Sequence, residues 1–293
     1  MNYNQCEQAD LTIIGELRYC KKSLENIANL QEMVRNSLKK KIIVELKARY
    51  ISPALYPLFM SLIEIGRQNQ KQVILLCKTS NVRLTKLLSE HGVVSYYSNN
   101  NFGDTATNKL PYTDVKIGDG TPEIVEKINS LLPVSMSLQY RSRFTSKLYE
   151  LFINSQKHSK TNIPAKANAY KDKNYFYLSI CDVGVGIPFN VRNFLKNDEF
   201  DDVSTMKWAF VDGNSAAENS TVISRGSGLG IIESFVKENH GKMFFASGKA
   251  LYHIHDTKTE FIALPKPIIG TFVTIRINAD KEHIYTIPEE EKP

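Results

Sequence analysis

No C-x-x-C pair occurs in the sequence, and its four cysteines, Cys6, Cys20, Cys77 and Cys181, are widely scattered. That spacing suggests neither a zinc site nor a disulfide framework. Cys77 and Cys181 fall in strand-like runs and are expected as small core residues. Long apolar runs are missing too, since stretches such as VILLC at 73–77 are strand-sized and far short of a membrane span. The opening MNYNQCEQAD has no basic-then-apolar signal pattern, so a cytoplasmic protein without membrane association is the expectation. The formal charge of +6 is modest. Its most visible basic cluster, Lys39 to Lys41, leads straight into the apolar run IIVEL and reads as a solvated helix end rather than a nucleic-acid groove. Nucleic acid is therefore not an expected partner.

At 293 residues the chain can bury one large core or two ordinary ones, and its length favours two domains. LTIIGEL and KIIVELKA read as strands, and the helix between them carries Leu24, Ile27, Leu30 and Val34 on one side. A second cycle follows: a helix capped by Ser52 with Pro53 at its first position, the strand QVILLC, the helix NVRLTKLLSEHG, and VVSYYS as the next extended run. These alternations predict a small α/β domain over 1–100. The stretch SNNNFGDTATNKLPYTD is polar and aperiodic, which predicts a linker over 101–122. From 123 to 293 a second α/β domain is expected: a helical region to about 160, the strand and glycine turn NYFYLSICDVGVGIP, a mixed segment at 189–225, a helix IIESFVKENHG, and the strands KMFFASG and GTFVTIRI.

Three short segments carry chemistry. In LYELFINSQKHSK, Glu150 and Asn154 are four apart and project from one helix face, with Lys157 and His158 a turn further on and Leu148, Leu151, Phe152 and Ser155 packing beneath. Taken alone, the segment reads more simply as the wet face of a surface helix. In ICDVGVGIP, Asp182 ends a strand and Gly184 and Gly186 let the chain turn close to a ligand. A carboxylate there can accept from the exocyclic amine of adenine, where guanine offers a carbonyl. In SRGSGLGII, Gly226, Ser227, Gly228, Leu229 and Gly230 precede a helix whose N–H groups could line a phosphate. That run fits neither a Walker A loop nor a dinucleotide-binding turn.

The order E-x-x-x-N on a helix, D-x-G-x-G after a strand and G-x-G-x-G before a helix resembles the GHKL ATP-binding family, which includes gyrase-type ATPases, Hsp90, MutL, histidine-kinase catalytic domains and anti-sigma-factor serine kinases. ELFINSQKHS is similar to its N box, DVGVGIP and SRGSGLGI to its two glycine boxes, and GTFVTIRI to its closing strand. The resemblance covers about residues 125–278. It implies a Bergerat-type α/β sandwich binding Mg-ATP beneath a lid at about 189–225, loosely packed without ligand. Asn154 would coordinate Mg²⁺, Glu150 would polarise a water or hydroxyl, Lys157 would neutralise phosphate charge and Asp182 would read adenine; His158 is expected to be a packed ring without chemistry. The N-terminal layer more distantly resembles a STAS domain, with Ile51-Ser52-Pro53 where that family carries its Asp-Ser phosphosite.

Two classes of function follow. The first is a Mg-ATP-binding regulatory protein that hydrolyses ATP slowly or phosphorylates a protein partner on Ser/Thr, as an ATPase or an anti-sigma-type kinase. The alternative is a non-catalytic, nucleotide-dependent protein-interaction switch. A protein partner is expected in either case, and a homodimer is left open. A sensor histidine kinase is disfavoured because no histidine lies between His91 and His158, and nucleic-acid processing because no large basic region follows residue 278.

Overall fold

The computed structural model describes residues 9–77, 82–98, 108–115, 120–211 and 228–286. The chain begins with β1 (Leu11–Leu17), α1 (Lys21–Asn36), β2 (Lys41–Ile51), a 3-10 turn at Pro53–Leu55, α2 (Tyr56–Gln68), β3 (Gln72–Cys77), α3 (Val82–Glu90) and α4 (Val93–Ser98). The three strands form a parallel sheet in the order β1-β2-β3. Central β2 is buried on both faces, which is why Ile42, Ile43 and Val44 run on without polar alternation. In α1, Leu24, Ile27, Ala28, Gln31 and Val34 are buried at helical spacing.

Two expectations fail here. VVSYYS is helix α4 rather than a strand, so Tyr96 and Tyr97 point toward Tyr112 in one ring cluster. A six-residue apolar run cannot be assigned by periodicity. Ser52 occupies the position before the 3-10 turn but its side chain caps nothing; it is buried, with its N–H bonded to Leu17 O at 2.8 Å.

The second part comprises β4 (Lys109–Val115), α5 (Gly120–Leu131), β5 (Ser135–Met136), α6 (Leu138–Lys157), β6 (Ala165–Lys171), β7 (Tyr175–Asp182), α7 (Gly186–Leu195), α8 (Asp202–Ala209), α9 (Gly228–Glu238), β8 (Lys242–His255), β9 (Lys258–Asn278) and β10 (Ile284–Tyr285). Its five-stranded antiparallel sheet has the order β4-β6-β7-β9-β8. The segment expected to be a linker thus contains an edge strand, with Leu110, Tyr112 and Val115 buried. The β8–β9 hairpin runs past the sheet and doubles back at Gly248, whose φ is +57°. Asp256 N reaches Gly241 O at 2.9 Å, the His253 ring stacks on Phe244 at 4.7 Å, and Phe210 touches both Phe245 and Tyr252. The returning hairpin therefore lies along the outer edge of β8 and shields it.

Alternation sorts the sheet's two faces. Phe176, Leu178, Ile180, Met243, Phe245, Val273 and Ile275 join one core with α5, α6 and α9. Cys181, Phe244, Ala246 and Phe272 face the other way and share a core with α1, α2 and the three-stranded sheet. A boundary near residue 100 therefore does not separate two cores. The layers run three-stranded sheet, α1 and α2, five-stranded sheet, then α5, α6 and α9. Buried hydrogen bonds fix the seam: Asn168 Nδ2 donates to Pro53 O (3.0 Å), Ser179 Oγ to Ala54 O (2.7 Å) and Ile269 N to Gln31 Oε1 (3.0 Å). No helix among the described residues is long and apolar enough to cross a membrane.

Candidate functional site

Helix α6 starts where Ser137 Oγ accepts from Tyr140 N at 3.1 Å, and it buries Tyr140, Phe144, Leu148 and Phe152. The expected packing face is present, and Glu150, Asn154 and Lys157 lie off it. Asn154 and Lys157 are exposed, and neither side chain has a partner among the described residues. Glu150 is partly covered and paired with Lys147 at 3.0 Å. His158 caps the helix through its backbone, its N–H donating to Asn154 O at 3.1 Å.

The end of α6 is fastened to the turn after β7. Val185 N donates to Ser159 O at 2.9 Å, and Asn190 Nδ2 donates to His158 O at 2.9 Å. A Cβ on Gly184 would stand 2.1 Å from Ser159 O, so the second residue after Asp182 has to be glycine for this contact to close. Gly186 adopts φ +78°, and a Cβ there would meet Ser247 Oγ at 2.6 Å. Substituting Gly184 by alanine should accordingly lower stability by about 1–3 kcal/mol, since backbone rather than a flexible side chain must yield. Urea denaturation measures this; a loss within 0.5 kcal/mol, roughly the noise expected for a surface change, would mean the two segments are not clamped.

Asp182 is buried at the end of β7. Its Oδ1 accepts from Gly184 N at 2.9 Å, and Thr271 on the neighbouring strand supplies backbone and hydroxyl hydrogen bonds. Burial nevertheless dominates, pushing its carboxyl up to about 7 from an ordinary 3.8. The folded state thus holds the proton more tightly than the unfolded chain does, so this group disfavours folding progressively as pH rises from about 4 to 7. Gly270, at φ +79°, packs its backbone against Asp182 O, where a Cβ would come within 2.1 Å.

The third motif reaches the site through helix packing. Tyr140 and Phe144 of α6 both touch Phe235 of α9, and Tyr140 Oη donates to Glu238 at 3.5 Å. The start of α6 thus meets the end of α9, so the helices run antiparallel. At 1.5 Å per residue the start of α9, Gly228 to Gly230, falls roughly level with Leu148 to Glu150, about one turn short of Asn154. Gly226 and Ser227 lie outside the described residues, as does the side chain of Leu229. Of the segment expected to be a loosely packed lid, 189–211 instead forms most of α7 and all of α8, with Val191, Thr205 and Met206 buried; 212–225 lies outside the described residues.

Sequence reasoning missed Ser159, Ser247, Gly270 and Thr271, which build the turn around Asp182. Ser247 Oγ accepts from Ile187 N at 2.9 Å and donates to Gly270 O at 2.7 Å. It also missed Gln68 of α2, whose Nε2 donates to Val183 O at 2.7 Å and ties the N-terminal layer to the turn. The Gly-Thr pair opening GTFVTIRI was the available signal for two of these. Among the described residues, no three His, Cys, Asp or Glu side chains gather as a metal site. The chain matches no family model and no curated protein.

Proposed function

We propose that the five-stranded sheet from β4 onward, with α5, α6 and α9, forms a GHKL-type, Bergerat-fold ATP-binding unit, with a STAS-like N-terminal layer packed on its sheet, and that the chain is a Mg-ATP-binding regulatory protein acting on a protein partner. The observation that carries this reading is the fastening of the α6 end to the Asp182 turn by Val185–Ser159 and Asn190–His158, with the start of α9 alongside. A nucleotide fits the residues present. Asp182 offers a buried acceptor for an adenine amine, Gly184 and Gly186 keep the turn flat, and Asn154 presents an unpartnered amide oxygen suited to a hard cation. Lys157 and the α9 N-terminus supply positive charge for phosphates. Bound Mg-ATP would supply the transferable phosphoryl group. Glu150 would orient the attacking water or a partner's Ser/Thr hydroxyl, making the chain a slow ATPase or an anti-sigma-type kinase.

A non-catalytic switch is the second reading, and the Glu150–Lys147 pair at 3.0 Å favours it, because a carboxylate held by a neighbouring lysine has to leave that contact to orient a nucleophile. Burial of Ser52 argues against its serving as a phosphoacceptor in either case. Incubation with γ-labelled ATP and Mg²⁺, with and without candidate partners, separates phosphate release and protein labelling from binding alone.

Adenine selectivity tests the site itself. Asp182→Ala should weaken ATP binding by about 1–3 kcal/mol, the cost of leaving a buried amine unpaired. Because the ionised carboxylate is the better acceptor and its pKa is raised to about 7, affinity should climb as pH rises through that value. Calorimetry reads both effects; equal affinity of the wild-type chain for ATP and GTP defeats the assignment.

A further inference from the structure

At the end of the five-stranded sheet away from Asp182, one face gathers cations. Lys242 and Arg276 are directly paired across β8 and β9, and Tyr177 lies beside Arg276 on β7. The returning hairpin adds His253 and His255, whose rings are 6.1 Å apart, and α1 adds Lys21. Of the nearby carboxylates, Glu25 pairs with Lys21 at 3.6 Å, Asp256 pairs with His240, and Asp172 accepts from the backbone N–H groups of Asn174 and Tyr175; among the described residues none pairs with Lys242 or Arg276.

The aromatic floor explains how the cations are tolerated but leaves their donors unused. Lys242 Nζ sits 5.3 Å from the Tyr19 ring and 4.8 Å from Phe244, and the Arg276 guanidinium lies 4.5 Å over Tyr175. Among the described residues Lys242 donates no side-chain hydrogen bond, and Arg276 Nε and His253 Nε2 are buried without partners. Burial and the adjacent Arg276 charge hold Lys242 below the ordinary lysine range, and burial together with Lys242, His255 and Lys21 pushes His253 down to about 4. Positive charge on Lys242 and Arg276, held half out of water without a paired carboxylate among the described residues, is costly. An anion seated against the Lys242 ammonium and the accessible part of the Arg276 guanidinium relieves that cost.

We propose that this face is a second anion site, in which Lys242 and Arg276, with His253 behind them, hold a phosphate-class dianion. Two fixed positive charges match a dianion, and the several N–H donors of an ammonium and a guanidinium match a tetrahedral oxyanion better than a two-oxygen carboxylate. Tyr177 stands five positions from Asp182 along β7, about 17 Å of strand, so the site is spatially separate from the Asp182 turn.

The test titrates the full chain with inorganic phosphate at constant ionic strength and follows the His253 ring by NMR. Saturable binding with a Kd at or below about 1 mM is expected. The His253 titration midpoint should rise from about 4, where phosphate is present as its monoanion, because an anion seated at Lys242 and Arg276 favours the charged ring; affinity should be higher at about pH 8, where phosphate is the dianion. Lys242→Met, which keeps the stem over Tyr19 and Phe244, should weaken phosphate binding by at least about tenfold. A phosphoserine peptide run in parallel identifies the source: tighter binding than phosphate assigns the anion to a phosphorylated partner, and equal binding to the free ion. A His253 ring unmoved by phosphate up to about 10 mM, or a phosphate response unchanged in Lys242→Met, overturns the proposal and leaves the cations as rim residues of an aromatic cluster.

Discussion

Replacing Lys166 with alanine should cost the folded protein about 3–5 kcal/mol, because it strips the central cation from a buried ionic cluster, leaving Asp114 without its nearest cation and Glu64 with Arg67 alone. Lys166, on β6, and Glu64, on α2, have side chains only 4% and 3% exposed and stand 3.8 Å apart. Lys166 Nζ also pairs with Asp114 of β4 and donates to Tyr96 Oη at 2.6 Å. Tyr97 Oη donates to Glu64 at 3.0 Å and Arg67 reaches Glu64 at 3.1 Å. The cluster therefore ties α2 and α4 to the edge of the five-stranded sheet. Urea denaturation measures the loss. Because the penalty comes from stranded charge rather than from the missing contact, Lys166→Met combined with Asp114→Asn should recover a substantial part of it, Glu64 keeping Arg67 as its cation. A loss below about 1 kcal/mol would mean that the cluster behaves like a surface pair reached by water.

That cluster also marks where the sequence stops being readable. Helices α1, α2 and α6 follow from the spacing of Leu24, Ile27 and Val34 or of Phe144, Leu148 and Phe152, because a helix buries one stripe and the stripe is local. The turn at Asp182 is legible for a similar reason, since Gly184 and Gly186 are needed by contacts within a few residues of the strand end and with its neighbours. Residues 93–98 and 109–115 are set instead by what they meet: Tyr96, Tyr97 and Tyr112 interlock, and β4 forms only against β6. Polar lysine, asparagine and serine at Lys166, Asn168 and Ser179 read as an outward sheet face, yet all three are buried, because the N-terminal layer supplies Pro53 O, Ala54 O and Glu64 as partners. Such pairings across about a hundred residues leave no periodic trace. The returning β8–β9 hairpin is hidden in the same way, since its reversal depends on Gly248 and on contacts of Phe210 with residues in three strand segments.

Glu150→Ala should lower any hydrolysis or phosphotransfer by roughly 10²- to 10⁴-fold, the range for loss of a general base, while nucleotide affinity stays within a few-fold. Glu150 lies one helical turn from Asn154 and off the packing face of α6, so it can orient a nucleophile without holding the nucleotide. Asn154→Ala should instead impair Mg-ATP binding itself, because its unpartnered amide is the group on this face suited to a hard cation. The Lys147 pair adds a control: Lys147→Met releases the Glu150 carboxylate and should leave turnover intact or raise it, provided Glu150 is the base. Steady-state rates and calorimetry on the three variants give the comparison. If Glu150→Ala loses affinity as severely as Asn154→Ala, the division of labour along the helix is wrong. If the wild-type chain binds ATP yet neither releases phosphate nor labels a partner, Glu150 has no catalytic role, its pairing with Lys147 is structural, and the nucleotide acts as the ligand of a switch.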